Sequence, residues 1–215
     1  MQSENRVKPA APPPAGADDP RRAYFDQQAP AWDRSGPDPA ATLRRMDALA
    51  KRLALRPGED LLEVGCGTGQ LTGWLVGRVR PGRVTAVDFA PAMLERARAR
   101  GVDAAFRLLD ICREPPGEAA FDVAFCFHAF PHFRDPAAAL RHLRRALRPT
   151  GRLLIVHLAG SAALNAFHAQ LGGPVGRDRL PPAPEWPALL APAGLRLDHV
   201  VDRDDLFLLT ARPAP

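Results

Sequence analysis

Hydrophobic and polar positions along the chain follow two periods. Between residues 60 and 157, short apolar runs of strand length alternate with segments in which apolar residues recur at helical spacing. Regular alternation of strands and helices indicates a parallel sheet covered on both faces. The predicted strands are residues 60–64, 83–88, 104–109, 121–127 and 151–157, and the predicted helices are residues 70–79, 91–100, 136–147 and 162–171.

The C-terminal end has a different pattern. Two extended segments, residues 195–201 and 206–211, are joined by the turn-prone "DRDD". So short a connection allows only an antiparallel hairpin, because a parallel crossover needs a dozen or more residues. We therefore predict an α/β fold: a Rossmann-like, seven-stranded, mostly parallel sheet with helices on both faces and a C-terminal antiparallel hairpin.

Two apolar-patterned segments precede the first strand. Residues 38–55 show helical spacing, and Pro39 behind Asp38 is typical of a helix start. Residues 23–33 predict a small amphipathic helix that is either a lid or a packing helix. Its aromatic residues are Tyr24, Phe25 and Trp32.

The domain organisation follows from these patterns. Residues 1–20 are rich in Pro and Ala and lack periodic apolar positions, which predicts a disordered tail. We expect one domain over residues 21–215. Within it, residues 21–55 form an N-terminal lid and helix, and residues 159–193 form a substrate-side loop and helices.

Composition agrees with a single globular domain. The chain has 215 residues, of which 46% are hydrophobic and 25% charged. The net charge is +5, but no basic run is interleaved with aromatic residues. The one local arginine cluster is typical of a solvated helix face, so we predict no nucleic-acid partner. That cluster is Arg141, Arg144, Arg145 and Arg148.

Cysteine usage and hydropathy bear on the compartment. The three cysteines have no metal-ligand spacing, and neither a disulfide framework nor a metal site is predicted. The N-terminus lacks an apolar signal core, and no segment approaches 18 uninterrupted apolar residues. We expect a cytoplasmic location without stable membrane insertion.

The first candidate for a ligand-binding site is the glycine-rich stretch "DLLEVGCGTGQLT", residues 60–72. Glycines at a strand-to-helix turn let the backbone approach a nucleotide-like ligand and leave amides pointing at it. Asp88 closes the next predicted strand, where a carboxylate can accept hydrogen bonds from two ribose hydroxyls. Asp110 closes the third strand. Its carboxylate is expected either to accept a hydrogen bond from the exocyclic amine of a purine or to cap the end of the strand. Glu63 lies under the loop, in reach of loop amides or a cationic group.

Taken in order, several motifs resemble class I S-adenosylmethionine-dependent methyltransferases, of the small-molecule and quinone-biosynthesis branch. They are "LLEVGCGTG", "VTAVDFAPAML", "LLD", "FDVAFCFHAFPHF", "LRPTGRLLIV" and the hairpin, over about residues 23–212. The opening "YFDQQAPAWD" is similar to that branch's lead-in, with Trp32 where tyrosine is usual.

The resemblance implies S-adenosylmethionine as cofactor. The glycine loop would face its methionine part, Asp88 its ribose and Phe89 its adenine. Asp110 and the backbone of Ile111 would read the adenine edge, and the strand end Cys126–Phe127 would contact the amino group through carbonyls. The implied cofactor-binding residues are Glu63, Gly65, Cys66, Gly67, Gly69, Asp88, Phe89, Met93, Asp110, Ile111 and Phe127.

Methyl transfer needs positioning and little acid-base help beyond deprotonation of the acceptor. Four of the six histidines fall near the expected site, and we predict His128 and His132 as its catalytic residues. His132 also matches a histidine common in the family's "H-x-x-D" segment, here "HFRD", and for it a shared structural role is the stronger interpretation. Pro131 between those two argues against a regular helix that would present them to a metal. We expect an acceptor pocket lined by imidazoles, with His157 and His168 beside the first two. His142 and His199 are interpreted as structural.

The segment of residues 172–186 either closes over a small acceptor through Arg177, Asp178 and Arg179 or is a solvated linker before a short helix. The predicted function is methyl transfer to a small-molecule acceptor of unspecified atom. Alternatives are a lipid-quinone C-methyltransferase at the membrane surface, a non-catalytic S-adenosylmethionine-binding protein and, more distantly, a dehydrogenase. The sequence leaves the oligomeric state open.

Overall fold

A computed structural model describes residues 19–36 and 38–215. The predicted tail lies outside these residues except for its last two positions. Asp19 caps the first helix by accepting a hydrogen bond from the amide of Arg21 (3.0 Å), and Pro20 is the first helical residue.

A seven-stranded sheet with the order β3-β2-β1-β4-β5-β7-β6 forms the centre of the molecule. The first five strands are parallel, and β7 pairs antiparallel with both β5 and β6. The predicted fold class is confirmed. The strands are β1 Leu61–Val64, β2 Val84–Asp88, β3 Ala105–Leu108, β4 Phe121–Phe127, β5 Leu147–His157, β6 Leu195–Arg203 and β7 Leu206–Pro213.

Alternate residues of the central strands enter two cores, one on each face of the sheet. Leu62, Ala124 and Ile155 pack with the helices Pro136–Ala146 and Trp186–Leu190 on one face, and Leu61 and Phe125 pack with the helices Pro39–Leu53 and Thr72–Val79 on the other. The helices are α1 Pro20–Gln28, α2 Trp32–Ser35, α3 Pro39–Leu53, α4 Thr72–Val79, α5 Pro91–Ala99, α6 Pro136–Ala146, α7 Ser161–Leu171 and α8 Trp186–Leu190.

The aromatic segment predicted as one helix over residues 23–33 is two helices, α1 and α2, and that prediction was wrong. Pro30 lies between them, and it has no N–H to continue the hydrogen bonding of α1. Other boundaries differ by a few residues: α4 begins at Thr72 instead of residue 70, and β5 begins at Leu147 instead of residue 151.

Residues 172–186 are not a solvated linker. The segment contains two short 3₁₀ turns, Gly173–Val175 and Ala183–Glu185, and buries Val175, Asp178 and Leu180. At its end Trp186 is fully buried, with its ring 4.8 Å from that of Phe130. This segment is therefore part of the main core.

Ion pairs concentrate at the amino-terminal edge of the sheet. Arg148, from the arginine cluster, pairs with Asp60 (2.9 Å) and Asp122, and so joins the starts of β1 and β4. A cavity of about 350 Å³ lies at this edge, beside the pair of Arg152 with Glu59. Both features lie at the opposite end of the strands from the glycine loop.

Two further expectations touch the described residues. Cys66, Cys112 and Cys126 are free thiols. Within the described ranges, no helix combines the length and the apolar character needed to span a bilayer. The compartment stays a prediction.

Candidate functional site at the carboxyl end of the sheet

The glycine loop joins β1 to α4, and its three glycines have positive φ angles: 70° at Gly65, 55° at Gly67 and 76° at Gly69. A Cβ at Gly65 would lie 2.5 Å from that of Ala129, and one at Gly69 would lie 3.0 Å from that of Ala97. A Cβ at Gly67 would meet nothing within 4 Å. The outer glycines therefore serve close packing, whereas Gly67 borders open space that a ligand can enter.

Asp88 lies directly against this loop. One carboxylate oxygen accepts a hydrogen bond from the amide of Gly67 (2.8 Å), and the other accepts one from the amide of Ala90 (2.9 Å). Burial raises the pKa of Asp88 to about 6, against the opposing effect of the backbone hydrogen bonds. Asp88 therefore ties the end of β2 to the loop, at the position predicted for a ribose.

Glu63 has a different partner from those expected. Its carboxyl accepts a hydrogen bond from the hydroxyl of Thr72 (2.7 Å), and the side chain is buried. Burial, with a smaller contribution from the charge of Asp88, raises the pKa of Glu63 to about 8. The carboxyl is thus mostly neutral at pH 7 and supports the loop from below through α4. Neighbouring Cys66 is also buried, and burial raises the pKa of its thiol far above the usual value.

The turn after β3 holds Asp110 and Ile111 rigidly. The carboxylate of Asp110 accepts from the amide of Cys112 (2.9 Å), and the carbonyl of Ile111 accepts from Nδ1 of His142 (2.7 Å). The structural role predicted for His142 is the fixing of this turn. Asp110 acts as a cap here, and a role in reading adenine stays a prediction, as do the contacts of Met93 and Phe127.

The N-terminal segment of residues 19–36 bridges the two sides of the loop. Phe25 packs edge-on against Phe89, with ring centroids 5.9 Å apart, and Asp26 accepts from the amide of Ala92 at the start of α5 (2.9 Å).

Asp33, on α2 of the same segment, accepts hydrogen bonds from Thr68 (2.5 Å) and Gln70 (2.8 Å) of the glycine loop, and pairs with Arg100 (2.5 Å). The sequence reasoning assigned no role to Asp26 or Asp33, although both stand in the quoted "YFDQQAPAWD". Their contacts place this segment against the glycine loop, and its role as a lid stays a prediction.

His132 is held by a buried carboxylate. Its Nδ1 lies 2.7 Å from Oδ2 of Asp178, whose other oxygen accepts hydrogen bonds from Nε (2.8 Å) and Nη2 (2.5 Å) of Arg21. Burial alone would raise the pKa of Asp178, but the hydrogen bonds of His132 and Arg21 outweigh it and hold that pKa below its usual value. An ionised Asp178 therefore orients the imidazole. The sequence reasoning named both residues without pairing them.

The other three histidines are poor proton acceptors. Burial lowers the pKa of His128 to about 4, and its Nε2 already accepts the amide of Leu158 at 3.3 Å. His157 is fully buried, with its pKa well below the usual value, and neither ring nitrogen has a hydrogen-bond partner among the described residues. Burial also lowers the pKa of His168, whose Nδ1 donates to the carbonyl of Asp178 (3.0 Å).

The four imidazoles lie as two neighbouring pairs. His128 and His157 have ring centroids 5.1 Å apart, and so do His132 and His168. In the described part of the chain, no group of three or more His, Cys, Asp or Glu side chains is arranged to hold a metal ion. Of the two predicted catalytic histidines, the geometry favours His132, and a role for His128 stays a prediction.

Comparison with known proteins decides the family. The model of a methyltransferase domain matches residues 62–155. A malonyl-[acyl-carrier protein] O-methyltransferase of Serratia marcescens is 40% identical over 129 residues, 58% of this chain and 49% of that protein. A ubiquinone biosynthesis O-methyltransferase of Xylella fastidiosa is 34% identical over 192 residues, 79% of this chain and 74% of that protein. The chain belongs to the class I S-adenosylmethionine-dependent methyltransferases.

Solved structures agree with this methyltransferase fold. The complex of DhpI with S-adenosylhomocysteine has a TM-score of 0.69 and 24% identity, covering 90% of this chain and 95% of the other. The [4+2]-cyclase SpnF has a TM-score of 0.70 and 20% identity, covering 90% and 96%. At such identities the likeness shows the fold alone.

The predicted enzyme class and cofactor are confirmed by the family, which uses S-adenosylmethionine as methyl donor. The positive-φ glycine loop, the open space at Gly67 and the buried carboxylate of Asp88 fit that cofactor. The chain spans about half the length of the Serratia relative and about three quarters of the Xylella relative.

Proposed function

We propose that this methyltransferase methylates a hydroxyl oxygen of a small molecule, with His132 as the general base. The observation that carries the proposal is the 2.7 Å contact between Nδ1 of His132 and the buried carboxylate of Asp178. A neutral imidazole in this contact carries its proton on Nδ1, so Nε2 is the atom that accepts a proton.

His132 lies within the same cluster of contacts as the cofactor loop. Its amide donates to the carbonyl of Ala129 (3.0 Å), the residue against which Gly65 packs. Its ring lies 5.1 Å from that of Phe25, which also packs on Phe89. These contacts support a proton acceptor near the methyl group.

The chemistry needs one proton acceptor. Bound S-adenosylmethionine supplies an electrophilic methyl group on a sulfonium. The acceptor oxygen forms a bond to that carbon as the sulfur–carbon bond breaks, and the hydroxyl proton passes to Nε2 of His132. The imidazolium so formed is stabilised by the Asp178 carboxylate on its other side.

Two arguments favour a hydroxyl acceptor. The Xylella relative, which matches 79% of this chain, is named a ubiquinone biosynthesis O-methyltransferase. A carboxylic acid is already ionised at neutral pH and needs no base, whereas a phenol or an alcohol does. The oriented His132 therefore supports hydroxyl compounds over carboxylates.

The test is a homocysteine-release assay on catechols, monophenols, carboxylates and amines. We expect turnover with hydroxyl compounds. His132→Gln and Asp178→Asn should lower kcat, the former by about 10²- to 10⁴-fold, with binding of S-adenosylhomocysteine unchanged. His199→Gln, at an exposed position of β6, is the matched control. Full turnover by His132→Gln would refute the assigned base, and turnover with carboxylates alone would refute the acceptor class.

A second candidate is a lipid quinone methylated at a membrane surface. On α7, Phe167 is 54% exposed and Leu171 is 46% exposed, four residues apart on one face of the helix that also supplies His168. Co-sedimentation with phospholipid vesicles that is lost in Phe167→Ser/Leu171→Ser would support this candidate. Wild-type protein that stays in the supernatant would exclude it.

A further inference from the structure

The helix α1 presents two side chains to the His132–Asp178 pair. Arg21 and Phe25 are four residues apart and so lie on one face of the helix. Arg21 donates two hydrogen bonds to Oδ1 of Asp178, and Phe25 packs its ring edge-on against His132. The N-terminal helix therefore contacts both members of the pair.

Arg21 compensates the buried negative charge of Asp178. The Asp178 side chain has no exposed surface, and that of Arg21 is 20% exposed. A buried carboxylate needs a partner charge. Arg21 supplies it on Oδ1 and leaves Oδ2 for His132. Asp19 lies 3.7 Å from Arg21 and holds its other terminal nitrogen.

Besides Arg21, His132 is the group whose charge and hydrogen bond lower the pKa of Asp178. Three other imidazoles influence His132: His128 after β4, His157 at the end of β5 and His168 on α7. Burial lowers the pKa of all three, so they contribute no positive charge at neutral pH. Arg21 therefore supplies the permanent positive charge beside the Asp178 carboxylate that contacts His132.

Building on the proposed function, we propose that Arg21 is a positioning residue: its positive charge on Oδ1 of Asp178 offsets that carboxylate, and α1 thereby completes the orientation of His132. The same helix reaches the cofactor side through Phe25 on Phe89 and through Asp26 on the amide of Ala92. One helix therefore contacts both the cofactor side and the carboxylate that orients the base.

The test observes His132 directly and needs no acceptor. In ¹⁵N-histidine-labelled protein, the ring signals of His132 are assigned by their absence in His132→Gln and followed over pH. We expect wild-type His132 to show the Nδ1-protonated tautomer when neutral. Arg21→Gln should move the midpoint of its protonation upward by about one pH unit. Arg21→Lys should show a smaller upward shift than Arg21→Gln, because lysine replaces the charge but not the two hydrogen bonds of the guanidinium.

Arg34→Gln is the matched control, since Arg34 is exposed on α2 of the same segment. An unchanged midpoint and tautomer in Arg21→Gln would overturn the inference, and so would an equal shift in Arg34→Gln. Thermal unfolding of each variant separates a local effect from loss of the fold.

The result also distinguishes this inference from the proposed function. If wild type methylates no hydroxyl compound but Arg21→Gln shifts the midpoint, the function fails and the role of Arg21 stands. If turnover depends on His132 but the midpoint stays in place, the function stands and the inference fails.

Discussion

Replacing Glu63 with glutamine should remove the loss of stability that ionisation of this buried carboxyl causes as the pH rises from 6 to 9. Glu63 is 2% exposed, and its carboxyl accepts a hydrogen bond from Thr72. Glutamine has nearly the same shape and an oxygen that keeps this bond. Because the pKa of Glu63 is raised to about 8, the native residue is largely protonated at pH 7, and the substitution keeps the charge state of the folded protein there.

The magnitude follows from linkage. A carboxyl whose pKa is about 8 when folded and near 4.5 when unfolded binds a proton more tightly in the folded state. Its stabilisation is fully present below pH 4.5 and is lost as the pH rises through 8. Each pH unit between these values is worth about 1.4 kcal/mol, so raising the pH from 6 to 9 costs about 3 kcal/mol. Glutamine does not titrate, so the variant does not lose this unfolding free energy.

The assay is urea unfolding at pH 6, 7, 8 and 9, followed by the fluorescence of buried Trp186. The difference in unfolding free energy between Glu63→Gln and wild type should move by about 3 kcal/mol in favour of the variant between pH 6 and 9. Glu95→Gln, on the exposed side of α5, should show no such change. A difference independent of pH would mean that Glu63 is ionised in the folded protein and would refute the reasoning.

Three further predictions concern residues at or near the carboxyl end of the sheet, where the glycine loop lies. Asp88→Ala should weaken binding of S-adenosylmethionine about ten- to hundredfold by titration calorimetry, because a charged hydrogen bond is worth about 1.5–3 kcal/mol. Unchanged affinity would mean that Asp88 does not bind the ribose. His157→Leu should raise the unfolding free energy by about 1–2 kcal/mol, since two buried, unpartnered nitrogens are removed; a less stable variant would indicate a bound water. Gly65→Ala should be more destabilising than Gly67→Ala in the same assay, because only the former drives a Cβ into Ala129; equal losses would mean that backbone strain alone matters.

Local features of the fold were readable in the sequence. The glycine loop and the alternating strands depend on neighbouring residues, and β4 has the predicted limits, Phe121–Phe127. The break between α1 and α2 was readable too, because Pro30 cannot donate a backbone hydrogen bond. The prediction of one helix there gave more weight to the aromatic spacing than to this proline.

The site depended on distant pairs that periodicity does not encode. His132 and Asp178 are 46 residues apart, and Arg21 and Asp178 are 157 apart. Burial likewise decided the states of Glu63 and His128, whose pKa values are about 8 and about 4. Both effects arise only when the chain is packed, so residue types alone indicated candidates without their partners.

The burial of residues 172–186 limits how new acceptor specificities can arise on this scaffold. In many enzymes a substrate loop varies freely because it lies outside the core. Here Val175 and Leu180 of the segment are buried, and Trp186 at the end of the segment packs against Phe130 and Phe207. Grafting a foreign loop would therefore remove core side chains along with acceptor contacts. Directed evolution should advance through single exposed positions such as Arg177, and whole-loop exchange should yield mostly unfolded protein.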